Sequence, residues 1–131
     1  MQFRSLFIGA VALITLAGAA FAEDYAGGAV KVSDIGGTMV ITNAAGMTLY
    51  TFDKDAVGVS NCYDQCAINW PPALAAADAV ADGDFTLVDR TDGTRIWAYE
   101  GWPLYLWKND AAVGDTTGDM VGGVWHTAVY K

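Results

Sequence analysis

Basic side chains are scarce in this sequence. Its 131 residues hold 7 Lys+Arg against 15 Asp+Glu, a formal net charge of −8. A surface this poor in cations does not attract a phosphate backbone, so nucleic acid is excluded as a partner. The same deficit argues against docking on anionic lipid. Histidine occurs once, at His126, which leaves little for general acid–base work at neutral pH. Beyond residue 22 the only serines are Ser33 and Ser60. There is no G-x-S-x-G elbow, no P-loop, no G-x-G-x-x-G and no H-E-x-x-H. Paired carboxylates are cheap to propose among fifteen acids and carry no weight. No enzyme and no cofactor are expected. Long amphipathic helical patterns are missing too, and the length suits one ordinary domain.

One apolar run stands out, from Leu6 to Ala17. Arg4 precedes it, and Ala20-Phe21-Ala22 follows as a small-x-small cleavage pattern. The run is short of the ~20 residues that a membrane span needs. Residues 1–22 therefore read as a signal peptide, and 23–131 as the mature chain, not inserted in a membrane after cleavage. No cysteine lies near the cleavage point, so lipid attachment there is not expected. Removing the leader takes away Arg4 and no acid, so the charge deepens from −8 to −9. Of the remaining 109 residues, 54 are apolar and 13 are aromatic, enough volume for a compact core.

The mature chain repeats itself at an offset of 55 residues. Between 46–70 and 101–125 there are 7 identities in 25 positions, among them Leu49/Leu104, Tyr50/Tyr105, Asp55/Asp110 and Trp70/Trp125. Short β-rich runs fill each copy. In the first they are Ala29–Val32, Thr38–Thr42 and Thr48–Phe52, with turns at Gly36-Gly37 and Asn43–Gly46. In the second they are Phe85–Val88, Arg95–Tyr99 and Pro103–Trp107, with turns at Thr91–Gly93 and Glu100-Gly101. Val124–Tyr130 reads as a closing strand. The expected fold is all-β. Two pseudo-symmetric meander repeats of three to four antiparallel strands, about 29–72 and 84–127, pack as a small sandwich or barrel-like domain, because one three-stranded sheet cannot bury its apolar face alone. The Ala-rich segment 73–83 joins them, either as one or two helical turns or as a flexible linker.

In each copy a Tyr and a second aromatic stand two residues apart, Tyr50/Phe52 and Tyr105/Trp107, so both point to one face of a strand. Asp55 and Asp110 follow three positions later, where a short carboxylate can accept backbone N–H groups and fix a turn. The residues read as a structural motif: aromatic plugs and a turn lock, used twice, with both tyrosines buried. An exposed aromatic platform is the alternative.

The pattern resembles a secreted bacterial repeat family of unknown function, predicted lipoproteins marked by Yx(FWY)xxD. Tyr50-Thr-Phe52-Asp-Lys-Asp55 and Tyr105-Leu-Trp107-Lys-Asn-Asp110 both match. Cys62-x3-Cys66 with Trp70-Pro71-Pro72, and Gly114–Asp119 leading to Gly123-Val-Trp-His126, add to the likeness. It covers about 46–127 and supplies no activity. Many members carry a lipobox cysteine. This chain has none, which implies a soluble periplasmic or secreted form.

Cys62 and Cys66 are the only cysteines, and an even count in an exported chain reads as a disulfide. Closing so short a loop stabilises by about 2 kcal/mol in the chain-entropy model. A sharper reading takes Cys62, Cys66 and His126 as soft ligands for Cu(I), or the cysteines as a redox pair. Asp64 between the thiols disfavours a reactive thiolate, so the disulfide is preferred, with His126 touching neither sulfur. The acidic run Asp110–Asp119 lacks EF-hand spacing and reads as turns rather than a Ca²⁺ site. Trp97, Trp102 and Trp107 lie close in sequence. The strand tryptophans Trp97 and Trp107 read as sharing a packed face, with Trp102 exposed at the turn as a candidate sugar platform. The functional expectation is a non-catalytic exported structural or interaction module with an unknown protein or small-molecule partner. The alternative is a periplasmic copper-handling or thiol-redox protein. Exported protein should have an intact mass matching a chain that begins at Glu23; a product retaining Arg4, or carrying lipid, would contradict the leader assignment.

Overall fold

The computed structural model of the chain describes residues 22–131. Apart from Ala22, the expected leader lies outside the described residues. Strands dominate. The described chain opens with a meander of β1 (Ala22–Tyr25), β2 (Val30–Ile35) and β3 (Thr38–Asn43), with Val32 opposite Ile41. In the second repeat β5 (Phe85–Asp89) and β6 (Arg95–Tyr99) are the counterparts of β2 and β3 at the 55-residue offset, and β7 (Trp102–Pro103), which pairs with β6, corresponds to Met47-Thr48; β1 precedes the repeat and has no counterpart strand among the described residues. The sequence gives no strand signal at β1, which is held by pairing with β2 rather than by its own propensity. Between them lie β4 (Tyr50–Phe52) and the one-turn helix α1 (Gln65–Asn69), and β8 (Trp125–Thr127) closes the chain.

The turns follow from the residues that make them. Asn43 Oδ1 accepts the N–H groups of Ala45 and Met47 at 3.0 and 2.9 Å, closing the loop after β3. The two-residue turn between β6 and β7 needs positive φ at both positions, and Glu100 and Gly101 adopt 51° and 87°. Gly101 also lets the Val57 loop approach, since a Cβ there would stand 2.5 Å from Val57 Cγ1.

The two repeats exchange their ends. β8, from the second repeat, pairs antiparallel with β4 of the first, Tyr50 opposite Thr127 and Phe52 opposite Trp125. The equivalent pairing in the other direction joins Pro72 to Tyr105, with Leu106 N donating to Pro71 O at 2.7 Å and Lys108 N to Asn69 O at 3.0 Å. Farther along, Ile41 N donates to Ala128 O, and Trp97 N donates to Ala73 O, both at 2.9 Å. Ala128 N donates to Leu49 O, and Ala73 N to Leu104 O, at 2.9 and 3.0 Å. The Ile41, Trp97, Ala128 and Ala73 bonds match one another at the 55-residue offset or one residue from it. Each meander is completed by the tail of the other repeat.

Strands with both faces covered separate two apolar clusters. Leu49, Trp97, Tyr99 and Leu104 belong to one; Tyr50, Ile96, Ala98 and Tyr105 belong to the other. The period of two along each strand sorts successive side chains between them. This corrects the expectation for Trp97 and Trp107. Trp107 packs with Tyr105 on the second cluster, whereas Trp97 shares the first with Leu104, one step out of phase. The sheets hold three, two and three strands and form no closed barrel. The Ala-rich segment forms no helix. Pro71 and Pro72 hold its start extended, and β6 captures it, with Ala75 N donating to Arg95 O at 2.9 Å. Among the described residues no helix is long and apolar enough to cross a membrane.

Candidate functional site

The repeated motif lies where the two halves meet. Tyr50 N donates to Tyr105 O at 2.7 Å, and Tyr105 N returns the bond to Tyr50 O at 2.9 Å. Both side chains are fully buried. Their hydroxyls reach across to the other repeat's carboxylate: Tyr50 donates to Asp110 Oδ2 at 2.6 Å, and Tyr105 to Asp55 Oδ2 at 2.8 Å. The opposite oxygen of each carboxylate takes a local backbone N–H, from Asn61 at 2.7 Å for Asp55 and from Thr117 at 3.0 Å for Asp110. The turn lock is thus also a cross-link between repeats. Burial is the main reason that both phenols titrate above their usual range. Burial likewise raises Asp55, opposed by the hydrogen bonds from Asn61 and Tyr105.

The aromatic partners form a continuous stack, Phe52–Trp125–Trp70–Trp107, with centroid separations of 4.1, 3.8 and 4.0 Å. Trp70 and Trp125, equivalent residues of the two repeats, lie at its centre, 4° from parallel. Tyr50 and Tyr105 meet Trp70 and Trp125 edge to face. Gly118 closes over the stack; a Cβ there would come within 2.9 Å of both Trp70 and Tyr50.

The symmetry breaks around Asp55. Arg90 is buried, donating to Ser60 Oγ at 2.7 Å and to Cys62 O at 3.0 Å, with its guanidinium carbon 4.2 Å from the Tyr63 ring centroid. Ser60 Oγ and Tyr105 Oη share a 2.6 Å hydrogen bond, so the chain runs Arg90–Ser60–Tyr105–Asp55. Cys62 and Cys66 form a disulfide, S–S 2.06 Å and Cα–Cα 5.3 Å, across the start of α1. His126 lies elsewhere, its Nε2 2.8 Å from Asp53 Oδ2. The residues of the copper reading are engaged separately, and no group of three or more His, Cys, Asp or Glu converges among the described residues.

Two surface depressions occupy equivalent positions beside the crossing strands. One, of about 480 Å³, is lined mostly by apolar groups, Ala44, Pro72, Ala73, Leu74, Ala76 and Leu106 among them, with Asn43 and Asp78 as its polar members. At the 55-residue offset these positions are Tyr99, Thr127, Ala128, Val129, Lys131 and Thr51, which line the other, a cleft of about 280 Å³. Asp53, Glu100 and Trp102 complete the cleft. Glu100 Oε1 accepts Lys131 Nζ at 3.2 Å, and Asp53 meets His126. Trp102 is half-buried and, alone of the five tryptophans, belongs to neither apolar cluster. Two aromatic rings, two carboxylates, two threonine hydroxyls and an ammonium line this opening; the described residues lining its counterpart bring one ring, Trp97, one carboxylate, Asp78, and the Asn43 amide, with no hydroxyl and no cation.

A family model described as a secreted repeat of unknown function matches residues 29–74 and 86–129. The chain belongs to this family. No curated protein and no solved structure matches it. The two matched segments of the family are the two halves of the crossed structure, and each contains one Tyr and one Asp of the lock.

Sequence reasoning finds the lock residues and the cysteines but misses Arg90, Ser60 and most of the cleft. Only Trp102, a tryptophan beside the Glu100-Gly101 turn, signals the cleft. Tyr50→Phe and Tyr105→Phe each remove a hydrogen bond to a carboxylate and should each cost about 1.5–3 kcal/mol in urea unfolding. A loss under about 0.5 kcal/mol, the range of neutral surface changes, would mean that the hydroxyls do not couple the repeats.

Proposed function

We propose that the chain is a non-catalytic, exported interaction module that binds its partner in the Trp102 cleft. It acts in the periplasm or outside the cell after loss of residues 1–22. Residues 23–131 work as one domain of two repeats, about 29–72 and 84–127, linked by 73–83. The observation that carries this reading is the unequal furnishing of two equivalent depressions. The fold makes both, and where one has Pro72, Ala76 and Leu106 the other has Thr127, Lys131 and Thr51. Only one carries aromatic, acidic and basic groups together. A concave site with a few convergent polar groups is the usual form of a small-molecule site. Glu100 adds to this, because it takes a left-handed backbone that Asn or Gly would adopt at lower cost.

The other chemistry-bearing groups have internal work. The cysteines bond to each other, the buried tyrosines pair with Asp55, Asp110 and Ser60, and Arg90 donates to Ser60 and Cys62 while its buried Nε has no partner among the described residues. A diverse fragment library screened by NMR against the ¹⁵N-labelled mature chain should give hits that shift the Trp102 indole N–H and the amides of 99–102 and 127–129. Hits confined to the apolar depression around Leu74, or none at all, would overturn the assignment of the cleft.

A further inference from the structure

The Trp102 cleft also constrains the kind of molecule it takes, an inference that rests on its being the binding site. Its charged groups are already engaged: Glu100 holds Lys131 at 3.2 Å and Asp53 holds His126 at 2.8 Å, so an ion of either sign must displace a partner already in place. What remains is hydrogen bonding and ring surface. Donors come from Lys131 and from the Thr51 and Thr127 hydroxyls; acceptors come from the same hydroxyls and the two carboxylates. Trp102, half-buried and outside both apolar clusters, supplies an aromatic wall. The carboxylates are also well exposed, Asp53 at 54% and Glu100 at 41% of the side chain, so the site stays wet and suits a ligand that itself carries many hydroxyls.

The comparison between repeats makes the same point. Where the larger, mostly apolar depression has Leu106, Pro72 and Ala76, the cleft has their equivalents Thr51, Thr127 and Lys131, which bring hydroxyls and an amine. The crossed pairing itself does not depend on Leu106/Thr51 or Ala76/Lys131; at the third position Thr127 N donates to Asp119 Oδ1 at 2.9 Å, a bond that Pro72 cannot make. We infer that the cleft binds a neutral saccharide, with a sugar ring against Trp102 and its hydroxyls hydrogen-bonded to Asp53, Glu100, Thr127 and Lys131. The small volume, about 280 Å³, fits one or two sugar units of a chain that continues into solvent.

The test titrates the ¹⁵N-labelled mature chain with maltotriose, cellotriose and triacetylchitotriose, with spermidine and citrate as charged probes. At least one trisaccharide should shift the Trp102 indole N–H saturably. Trp102→Ala and, separately, Lys131→Ala should weaken it at least tenfold while the melting temperature stays within a few degrees. Thr127→Val keeps the test open should Trp102→Ala not fold, and should weaken binding in the same direction. Saturable shifts by spermidine or citrate with silence from all three saccharides would overturn the ligand class and leave the cleft as a binding site. Silence from all five probes, together with a fragment screen that avoids Trp102, would sink both. A saccharide response undiminished in Trp102→Ala and Lys131→Ala would overturn the proposed geometry.

Discussion

At the centre of the molecule the backbones of Tyr50 and Tyr105 hydrogen-bond to each other in both directions, and each phenol reaches past the pair to a carboxylate of the opposite repeat. This crossing sets the rest of the structure. Once the two tyrosines are paired antiparallel, the strands leading out of them are pointed at each other's meanders. β8 then has an open edge in the first repeat, and residues 70–75 have one in the second. The tryptophans that follow at Trp70 and Trp125 are brought face to face. Neither repeat completes its own sheet, so neither buries its apolar face without the other.

Buried carboxylates and phenols are costly to leave unsatisfied, by about 1–3 kcal/mol each, and more for a charge. A pairing in which each repeat supplies the other's partner therefore penalises any arrangement that separates them. The disulfide and the Arg90 chain reinforce one side only. Their neighbours Ser60, Cys62 and Tyr63 face Asp115, Thr117 and Gly118 at the repeat offset, so the symmetry that governs the backbone is not kept by the side chains around it. The same freedom operates at the surface, where one of two equivalent depressions acquires Tyr99, Trp102 and Lys131.

Much of this was legible. The 55-residue offset, the Tyr-x-aromatic spacing and the placement of strands at 38–43, 85–89 and 95–99 follow from identity and from period-two patterning. The exchange of ends was not. A strand carries no mark of which neighbour it will pair with, and Val124–Tyr130 reads equally well as closing its own repeat. The Ala-rich segment left helical turns and a flexible linker equally open for a related reason: alanine favours helix, but an extended chain fixed by Pro71 and Pro72 beside an open edge gains backbone bonds instead. Arg90 looks in sequence like any surface cation, and its burial depends on Ser60 and Cys62, near 30 residues away. The cleft escaped notice because its lining comes from three separated segments, and only comparison with its apolar twin makes it conspicuous.

Reciprocity at the Tyr50–Tyr105 crossing is tested most directly by native-state hydrogen exchange. The amides of Tyr50, Tyr105, Ala73, Trp97, Ala128 and Ile41 report the crossing and both exchanged tails. All six should open with one common free energy, equal to that of global unfolding, and with the same denaturant dependence. If the amides of one repeat exchanged at a distinctly lower free energy while those of the other kept the global value, the repeats would be separable units and the interlock would not be what holds the fold together.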